Sequence, residues 1–401
     1  MTDKKLEKKV DEVLDRGILK DFLPTKEEFR ERLLSGDKLR FYIGADPTAK
    51  ALHLGHAQNL MLLEDFRKLG HEVIFLIGDF TGMIGDPSDK SSARIKQTPA
   101  DVQANFKNWK DQVKNILDFD DEKNPVQIKY NSEWLGKLDL SEILELASNF
   151  TVQQMLERDM FENRMKDGKP IYLHEFLYPL MQGYDSVAMD VDVEMCGTDQ
   201  IFNALAGRTL MQKLKGKEKF VIANNLIADE ITGQLMSKSN GTGIFLDLSA
   251  NDLFGAVMAQ SDGMIRPLAV GCTRLSLEKI EEMTKQENPR DAKIDLAFEI
   301  TKIFHGEKKA KEAKEYFINT FSKKEIPDDV DVYNSQEGIN ILELLVSVEG
   351  ATSKGDARRK IEQGGVSIDG NKITDTKYAL VAGDDGKVLK VGKKFFKKLS
   401  L

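Results

Sequence analysis

The sequence predicts an α/β protein with a doubly wound parallel sheet, followed by an α-helical domain and a small α+β domain. Two apolar runs, 39–44 and 73–78, flank a helical pattern that ends at Gly70, which is the order of a parallel βαβ crossover. The pattern is helical only over 248–321, and short helices and strands return after 338. A chain of 401 residues has room for two or three domains.

The pattern changes along the chain predict five segments. They are a helical N-terminal segment 1–38, the α/β domain 39–240, the helical domain 241–325, a polar linker 326–337 and the C-terminal domain 338–401. Further strands are expected at 126–130, 193–196 and 220–224, and helices of the second domain at 251–260, 277–286, 293–305 and 309–321. In the C-terminal domain, Asp369-Gly370 predicts a tight hairpin turn.

The composition indicates a soluble protein of a reducing compartment. The longest apolar run, 73–77, is far shorter than the roughly 20 residues that a bilayer requires. The first nine residues mix both charge signs, so no signal peptide is predicted. Two cysteines, Cys196 and Cys272, provide neither a disulfide framework nor a zinc cluster. We therefore expect a cytoplasmic protein with no membrane partner and no resident metal.

Charge is distributed unevenly along the chain. The net charge is −8, yet residues 351–401 contain 12 Lys and Arg against 6 Asp and Glu. The first 350 residues contain 46 Lys and Arg against 60 Asp and Glu. A basic C-terminal module on an acidic body is typical of an appended nucleic-acid-binding domain, although a solvated lysine-rich tail would have the same charge.

The first candidate site is the HLGH run at 53–56, which opens the helix after the first strand. His53 and His56 are three residues apart and share a face of the first turn, and Gly55 leaves room for a planar group against the backbone. A helix N-terminus in this position attracts phosphates because its N–H groups and dipole point outwards. The two imidazoles could therefore donate to a transferring phosphoryl group. A metal-ligand pair or a polar helix cap is the alternative.

The second candidate site is the MSKS run at 236–239, which by itself could be an ordinary surface loop. HLGH and MSKS, about 180 residues apart, together resemble the signature pair of class I aminoacyl-tRNA synthetases. Four other runs resemble the tyrosyl-tRNA synthetase family in order and spacing: FYIGADPTA at 41–49, IGDPS at 84–88, YPLMQGYD at 178–185 and GTDQ at 197–200. The C-terminal domain resembles the S4 RNA-binding domain of that family.

The resemblance implies a Rossmann-like catalytic domain and a homodimeric tyrosine–tRNA ligase with tRNA(Tyr), L-tyrosine and ATP as partners, with Mg²⁺ accompanying ATP. It implies tyrosine binding by Tyr42, Asp86, Tyr178, Gln182, Asp185 and Gln200. It implies ATP binding by Asp46, His53, Gly55, His56, Gly197, Asp199 and Lys238, and phosphate contacts in catalysis by Thr48, His53, His56, Lys90, Arg94 and Lys238. RNA contacts would come from Lys354, Arg358, Arg359 and Lys360.

These assignments are chemically consistent, and each has a structural alternative. A phenol hydroxyl both donates and accepts, so the Tyr42 phenol and the Asp185 carboxylate together can satisfy a substrate hydroxyl. Tyr178 could equally be a core residue, and Asp199 a helix N-cap. The chain departs from the family pattern at Leu235, where a lysine is usual, and at Cys196, where a glycine is usual.

Two other functions remain open at this point. A nucleotidyltransferase of the same fold could share the HLGH phosphate site, but it would lack the tyrosine-pocket residues and the S4-like domain. A non-catalytic RNA-binding relative is a different class, and the presence of HLGH, Asp86, Asp185 and Lys238 speaks against it.

Overall fold

The computed structural model describes residues 4–86, 98–236, 242–322, 330–392 and 395–401. The chain forms two compact units, Met1–Ala310 and Lys311–Leu401. Because the first unit contains both the sheet and the helices that follow it, the predicted boundary at 240 is not a division between compact units. The separate roles of 39–240 and 241–325 stay a prediction.

The described helices are α1 Lys4–Leu14, α2 Lys26–Leu34, α3 Leu54–Lys68, α4 Thr81–Ile84, α5 Pro99–Phe106, α6 Trp109–Val113, α7 Ser132–Leu135, α8 Leu140–Ala147, α9 Val152–Leu156, α10 Asp159–Lys166, α11 Leu173–Met189, α12 Ile201–Lys215, α13 Ala250–Met258, α14 Ile265–Cys272, α15 Leu277–Thr284, α16 Pro289–His305, α17 Glu307–Phe317, α18 Ile341–Ser347 and α19 Lys354–Glu362. The described strands are β1 Leu19–Leu23, β2 Arg40–Ala45, β3 Glu72–Ile77, β4 Gln127–Tyr130, β5 Val193–Gly197, β6 Phe220–Asn224, β7 Val332–Asn334, β8 Val366–Ile368, β9 Asn371–Lys372, β10 Val388–Val391 and β11 Phe395–Ser400.

The first unit contains a six-stranded sheet with the strand order β1-β6-β5-β2-β3-β4. Strands β2 to β6 pair in parallel, which confirms the predicted α/β class. The prediction of a purely helical segment 1–38 is wrong, because β1 lies there and pairs antiparallel with β6. This edge strand has the sequence LKDFL. Because it is short and contains two charged residues, it lacks a clear strand pattern between the helical patterns of α1 and α2.

The core of the sheet follows from its sequence. In β3 every residue from Val73 to Ile77 is buried, as expected of a central strand covered on both faces. Helix α3 packs against β2 and β3 and buries a broad apolar stripe that includes Leu60, Leu63 and Phe66. Burial of each such side chain stabilises the fold by about 1.5–3 kcal/mol.

The strand order reverses between β2 and β5. The crossover from β2 through α3 leads to β3 on one side, and the crossover from β5 through α12 leads to β6 on the other side. Ligands of open α/β sheets bind at the carboxyl ends of the strands at such a switch point. The fold therefore places the HLGH run, after β2, and the GTDQ run, after β5, at the same edge of the sheet.

The helices after β6 complete the first unit. Helix α14, which the sequence analysis did not predict, packs on α3, and α13 packs on α16. The Arg16 guanidinium donates to the carbonyl oxygens of Val270, Thr273 and Leu275 at 2.7–3.0 Å. These hydrogen bonds join the N-terminal segment to the end of α14.

The second unit is built on a five-stranded sheet with the order β7-β11-β10-β8-β9. Strand β7 lies inside the predicted linker and pairs in parallel with β11, so the linker prediction is wrong for Val332–Asn334. The hairpin prediction is confirmed, because β8 and β9 pair antiparallel around Asp369 and Gly370 with φ angles of 45° and 80°. Two positive φ angles are characteristic of a type I′ turn.

Candidate active site

The two imidazoles of the HLGH run are held at the start of α3 with a defined tautomer. His53 caps the helix, and its Nδ1 accepts the Gly55 N–H at 3.1 Å. His56 Nδ1 accepts the His53 N–H at 3.2 Å, and the ring centroids are 4.0 Å apart. Because both Nδ1 atoms accept, each neutral ring carries its proton on Nε2. Burial lowers the pKa of His53 to about 4, and burial together with the neighbouring His53 lowers the pKa of His56 to about 3.

Gly55 has a structural role in the helix cap. A Cβ at this position would lie 2.8 Å from the Cε1 atom of the His53 ring. A side chain would therefore displace the capping imidazole. That Gly55 also leaves room for a planar group of a ligand stays a prediction.

A hydrogen-bonded group links the end of β2 to α11. The Asp46 carboxylate accepts the Thr81 hydroxyl at 2.7 Å and the Tyr178 hydroxyl at 2.8 Å. A Cβ on Gly78 would lie 2.0 Å from the Asp46 carboxylate, so only glycine fits beneath it. Burial raises the pKa of Tyr178 well above its usual value, and the nearby Asp46 and Asp86 carboxylates add to this shift.

Tyr42, on β2, and Asp185, on α11, are both buried. Burial raises the pKa of Tyr42 well above its usual value, and the Glu194 and Asp185 carboxylates add to this shift. The Tyr42 hydroxyl is 3.0 Å from Ser186 Oγ. The Asp185 carboxylate accepts Trp134 Nε1–H at 2.7 Å and the Asn131 amide at 3.2 Å. Burial raises the pKa of Asp185, although these two hydrogen bonds oppose the shift. Asp185 and Ser186, the partner of Tyr42, are adjacent on α11, and Trp134 packs against the apolar cluster that contains Tyr42.

A third group surrounds Asp86. Gln200 Nε2 donates to Asp86 at 2.6 Å and to Asp199 at 3.3 Å, while its Oε1 accepts the Asn203 amide at 2.8 Å. The Arg158 guanidinium is 3.6 Å from the Asp86 carboxylate, and desolvation lowers the pKa of this arginine. Gln200 therefore orients the two carboxylates.

Some predicted residues contribute less to this arrangement. A Cβ on Gly197 would lie 2.4 Å from the Asp199 carboxylate, so this glycine lets Asp199 fold back over β5. Thr48 is exposed, and its N–H donates to the Asp46 carbonyl at 2.8 Å. A small, partly open pocket adjoins His56 and is also lined by Gly44 and Asn59. Lys90, Arg94 and Lys238 lie outside the described residues.

The predicted RNA-binding side chains lie on α19 of the second unit. Arg358 and Arg359 are exposed. Lys354 is paired with Glu343 at 2.6 Å, and Lys360 is paired with Asp356 at 3.0 Å. Arg359 also pairs with Asp356, at 3.5 Å, while its side chain stays largely exposed.

The sequence analysis missed several residues that shape the site. They are Thr81, Asn131, Trp134, Arg158, Ser186, Glu194 and Lys219. Trp134 could have been singled out from the sequence, because tryptophan is rare in this chain, which contains two. Lys219 offered none, since a lysine before an apolar strand usually lies on the surface. In the described part of the chain, no three His, Cys, Asp or Glu side chains could hold a metal ion together, and no helix is long and apolar enough to cross a membrane.

Comparison with known proteins agrees with this geometry. Residues 34–322 match the family described as tRNA synthetases class I (W and Y), and residues 322–398 match the tyrosine–tRNA ligase SYY-like C-terminal domain. The chain is 42% identical over 394 residues to a tyrosine–tRNA ligase of Thermotoga maritima, covering 97% of this chain and 96% of that protein. It is 43% identical over 392 residues to a tyrosine–tRNA ligase of Photobacterium profundum, covering 97% of each.

Solved structures share the fold at lower identity. A C-terminally truncated mitochondrial tyrosyl-tRNA synthetase of Aspergillus nidulans has a TM-score of 0.66 at 23% identity, covering 78% of this chain and 94% of that one. A tyrosyl-tRNA synthetase of Archaeoglobus fulgidus complexed with L-tyrosine has a TM-score of 0.60 at 20% identity, covering 77% of this chain and 99% of that one. The sequence matches over nearly the whole chain show that it belongs to the tyrosine–tRNA ligase family of class I tRNA synthetases.

Proposed function

We propose that this protein activates L-tyrosine with ATP and transfers the tyrosyl group to the terminal adenosine of tRNA(Tyr). The observation that carries the proposal is that Tyr42, on β2, and Asp185, on α11, are both buried and lie close enough for the Asp185 charge to contribute to the raised pKa of Tyr42, while the neighbouring Ser186 contacts the Tyr42 hydroxyl. Membership of the tyrosine–tRNA ligase family supports it. A nucleotidyltransferase would need no buried receptor for a phenol.

In the first step, the tyrosine carboxylate attacks the α-phosphorus of ATP, a P–O bond forms, and the bond to pyrophosphate breaks. The carboxylate is already ionised, so no general base is required and catalysis consists of positioning and charge stabilisation. His53 and His56 would donate their Nε2–H groups to phosphoryl oxygens, together with the Thr48 hydroxyl. ATP enters with Mg²⁺ as part of the substrate, and Lys90, Arg94 and Lys238 would follow the departing pyrophosphate.

In the second step, a hydroxyl of the terminal tRNA ribose attacks the tyrosyl carbonyl carbon, and AMP leaves. The exposed Arg358 and Arg359 support a role for the second unit in binding the tRNA backbone. Lys354 and Lys360 would exchange their present carboxylate partners for phosphates.

The α-ammonium of tyrosine would be bound by Asp86, Tyr178 and Gln182. The Tyr178 hydroxyl donates its hydrogen bond to Asp46, so its oxygen lone pairs can accept from an ammonium group. The Gln182 amide nitrogen donates to Glu194 at 2.9 Å, so its Oε1 can accept as well. Gly197 and Asp199 would face the ATP ribose, and Gln200 would hold the carboxylates in place.

The phenol hydroxyl of tyrosine would donate to Asp185 and accept from Tyr42. Phenylalanine would leave both groups without a hydrogen-bond partner in a pocket without water, and this would weaken its binding. Tyrosyl-tRNA synthetases are already known to prefer tyrosine over phenylalanine by about 10⁵-fold.

The proposal includes a homodimer in the cytoplasm. A surface on α8–α11 carries several exposed large apolar side chains, and Leu173 is 85% exposed. Its other members are Leu140, Leu144, Val152, Met165 and Tyr172. Apolar side chains in such number mark an interaction surface, for which we propose a second copy of the chain as the occupant. Leu144→Asp should produce monomers in light scattering, and Leu277→Asp, on α15, should not.

The test is ATP–pyrophosphate exchange with each of the twenty amino acids, followed by charging of tRNA(Tyr). We expect exchange that depends on tyrosine. Exchange without any amino acid would favour a nucleotidyltransferase. No exchange, combined with retained RNA binding, would favour a non-catalytic RNA-binding protein.

A further inference from the structure

A buried cluster, made of an ion pair and its hydrogen-bond partners, adjoins two of the proposed tyrosine-binding residues, Gln182 and Tyr42. The Lys219 side chain, which precedes β6, is 0% exposed. Its ammonium group forms an ion pair with the Glu194 carboxylate and donates to Ser186 Oγ and to the Ala204 carbonyl, each at 3.0 Å. All three ammonium protons therefore have acceptors, and the charge of Glu194 is neutralised inside the protein.

Close packing of α11 on α12 makes room for this ammonium group. A Cβ on Gly207 would lie 2.4 Å from Lys219 Nζ and 2.9 Å from Ser186 Oγ. A Cβ on Gly183 would lie 3.0 Å from the Gly207 backbone nitrogen. Two glycines at the helix contact therefore leave a space that the charged group fills.

The cluster orients an amide on one side of the pocket. Glu194 accepts the Gln182 amide at 2.9 Å. A carboxylate paired with an ammonium group accepts hydrogen bonds, so the NH₂ group of Gln182 faces it. The Gln182 carbonyl oxygen is then directed away from Glu194, where it can accept from an ammonium group.

The cluster also orients a hydroxyl on the other side. Ser186 Oγ accepts from Lys219 and lies 3.0 Å from the Tyr42 hydroxyl but 3.4 Å from Glu194. Either hydroxyl can be the donor in the contact between Ser186 and Tyr42, so Ser186 fixes the position of the Tyr42 oxygen. When Ser186 donates, the Tyr42 proton is available to a ligand hydroxyl.

We propose that Lys219, Glu194 and Ser186 are positioning residues that set the Gln182 amide and the Tyr42 hydroxyl for tyrosine, and so contribute to its selection over phenylalanine. This inference rests on the proposed function. Ser186 acts through Tyr42 on the phenol end of the substrate tyrosine. Glu194 acts through Gln182 on the ammonium end, and it also acts on the phenol end through Ser186.

The experiment measures kcat/KM for tyrosine and for phenylalanine, and KM for ATP, by pyrophosphate exchange in the full-length protein. Ser186→Ala should lower the tyrosine-to-phenylalanine ratio about three- to tenfold, the loss expected for one hydrogen bond. Glu194→Gln should lower kcat/KM for tyrosine about tenfold and also lower the ratio. The KM for ATP should stay within about twofold in both, because the cluster acts on the amino-acid side of the site.

A matched control separates positioning from a loss of structure. Glu64 is also buried and paired, with Arg67 at 2.8 Å in α3. Glu64→Gln should therefore reduce stability as Glu194→Gln does, yet leave the ratio unchanged. Combining Lys219→Met with Glu194→Gln should regain stability relative to either change alone, because no unpaired charge stays buried. The low ratio should persist in the double variant.

An unchanged ratio in folded Ser186→Ala and Glu194→Gln proteins would overturn the inference, as would an equal fall of the ratio in Glu64→Gln. Ser186→Ala removes a hydroxyl and no charge, so it keeps the test available if the charge variants fail to fold. Failure of the proposed function is a separate result: the unmodified protein would then show no tyrosine-dependent exchange.

Discussion

His56→Asn tests whether the HLGH imidazoles act as neutral hydrogen-bond donors. At pH 5.0 an ordinary imidazole with a pKa of 6.5 would be about 97% protonated. Burial and the neighbouring His53 lower the pKa of His56 to about 3, so its ring stays neutral at that pH. Adenylate formation by the unmodified protein should therefore show no step near pH 6.5 that arises from this ring.

The same lowered pKa has a consequence for stability. Between pH 3 and 6.5 the unfolded chain binds more protons at His56 than the folded protein does, so the free energy of unfolding rises with pH. The contribution is lost as the pH falls through this window. Its slope is at most about 1.4 kcal/mol per pH unit, because one imidazole can bind no more than one extra proton. His56→Asn should reduce the slope of stability against pH by about this amount.

The assay combines single-turnover adenylate formation with urea unfolding between pH 4.5 and 7. Loss of a preorganised donor should slow adenylate formation about 10²-fold. His71→Asn is the matched control, because His71 is buried, has a pKa of about 4 and accepts the Leu39 N–H away from the site. It should change the stability slope and leave the rate unchanged. A rate step near pH 6.5 that disappears in His56→Asn would refute the reasoning.

Three further outcomes follow from the site and the two units. Tyr42→Phe should lower the tyrosine-to-phenylalanine ratio in kcat/KM about two- to tenfold and leave the KM for ATP unchanged. The control Tyr184→Phe, in a separate apolar cluster, should leave the ratio unchanged. An unchanged ratio in Tyr42→Phe would mean that Tyr42 does not bind the substrate phenol. A chain ending at residue 322 should keep pyrophosphate exchange but charge tRNA poorly and with less salt dependence, and loss of exchange in a folded truncation would contradict this. Leu235→Lys should speed adenylate formation about tenfold, and Lys238→Ala should slow it severely; no gain from the first would mean that other cations already neutralise the pyrophosphate.

The class of fold could be predicted from the sequence alone, and so could the place of the HLGH run at the start of a helix. Strong local signals account for this: the short, β-branched apolar run of β3 favours a buried strand, and the glycine-containing HLGH run opens a helix after a strand. The family resemblance also singled out Tyr42 and Asp185, which are both buried and are linked in the structure through Ser186, the neighbour of Asp185.

Features that depend on pairing or on long-range contact were decided only by the tertiary structure. Strands β1 and β7 were missed because an edge strand is short, has weak apolar periodicity and is defined by its partner. The buried Lys219 carries no sign in the sequence, because its burial depends on Glu194 and on a glycine of another helix. Propensity and periodicity act over neighbouring residues, whereas the groups that orient this pocket meet only after β5, β6, α11 and α12 have packed together.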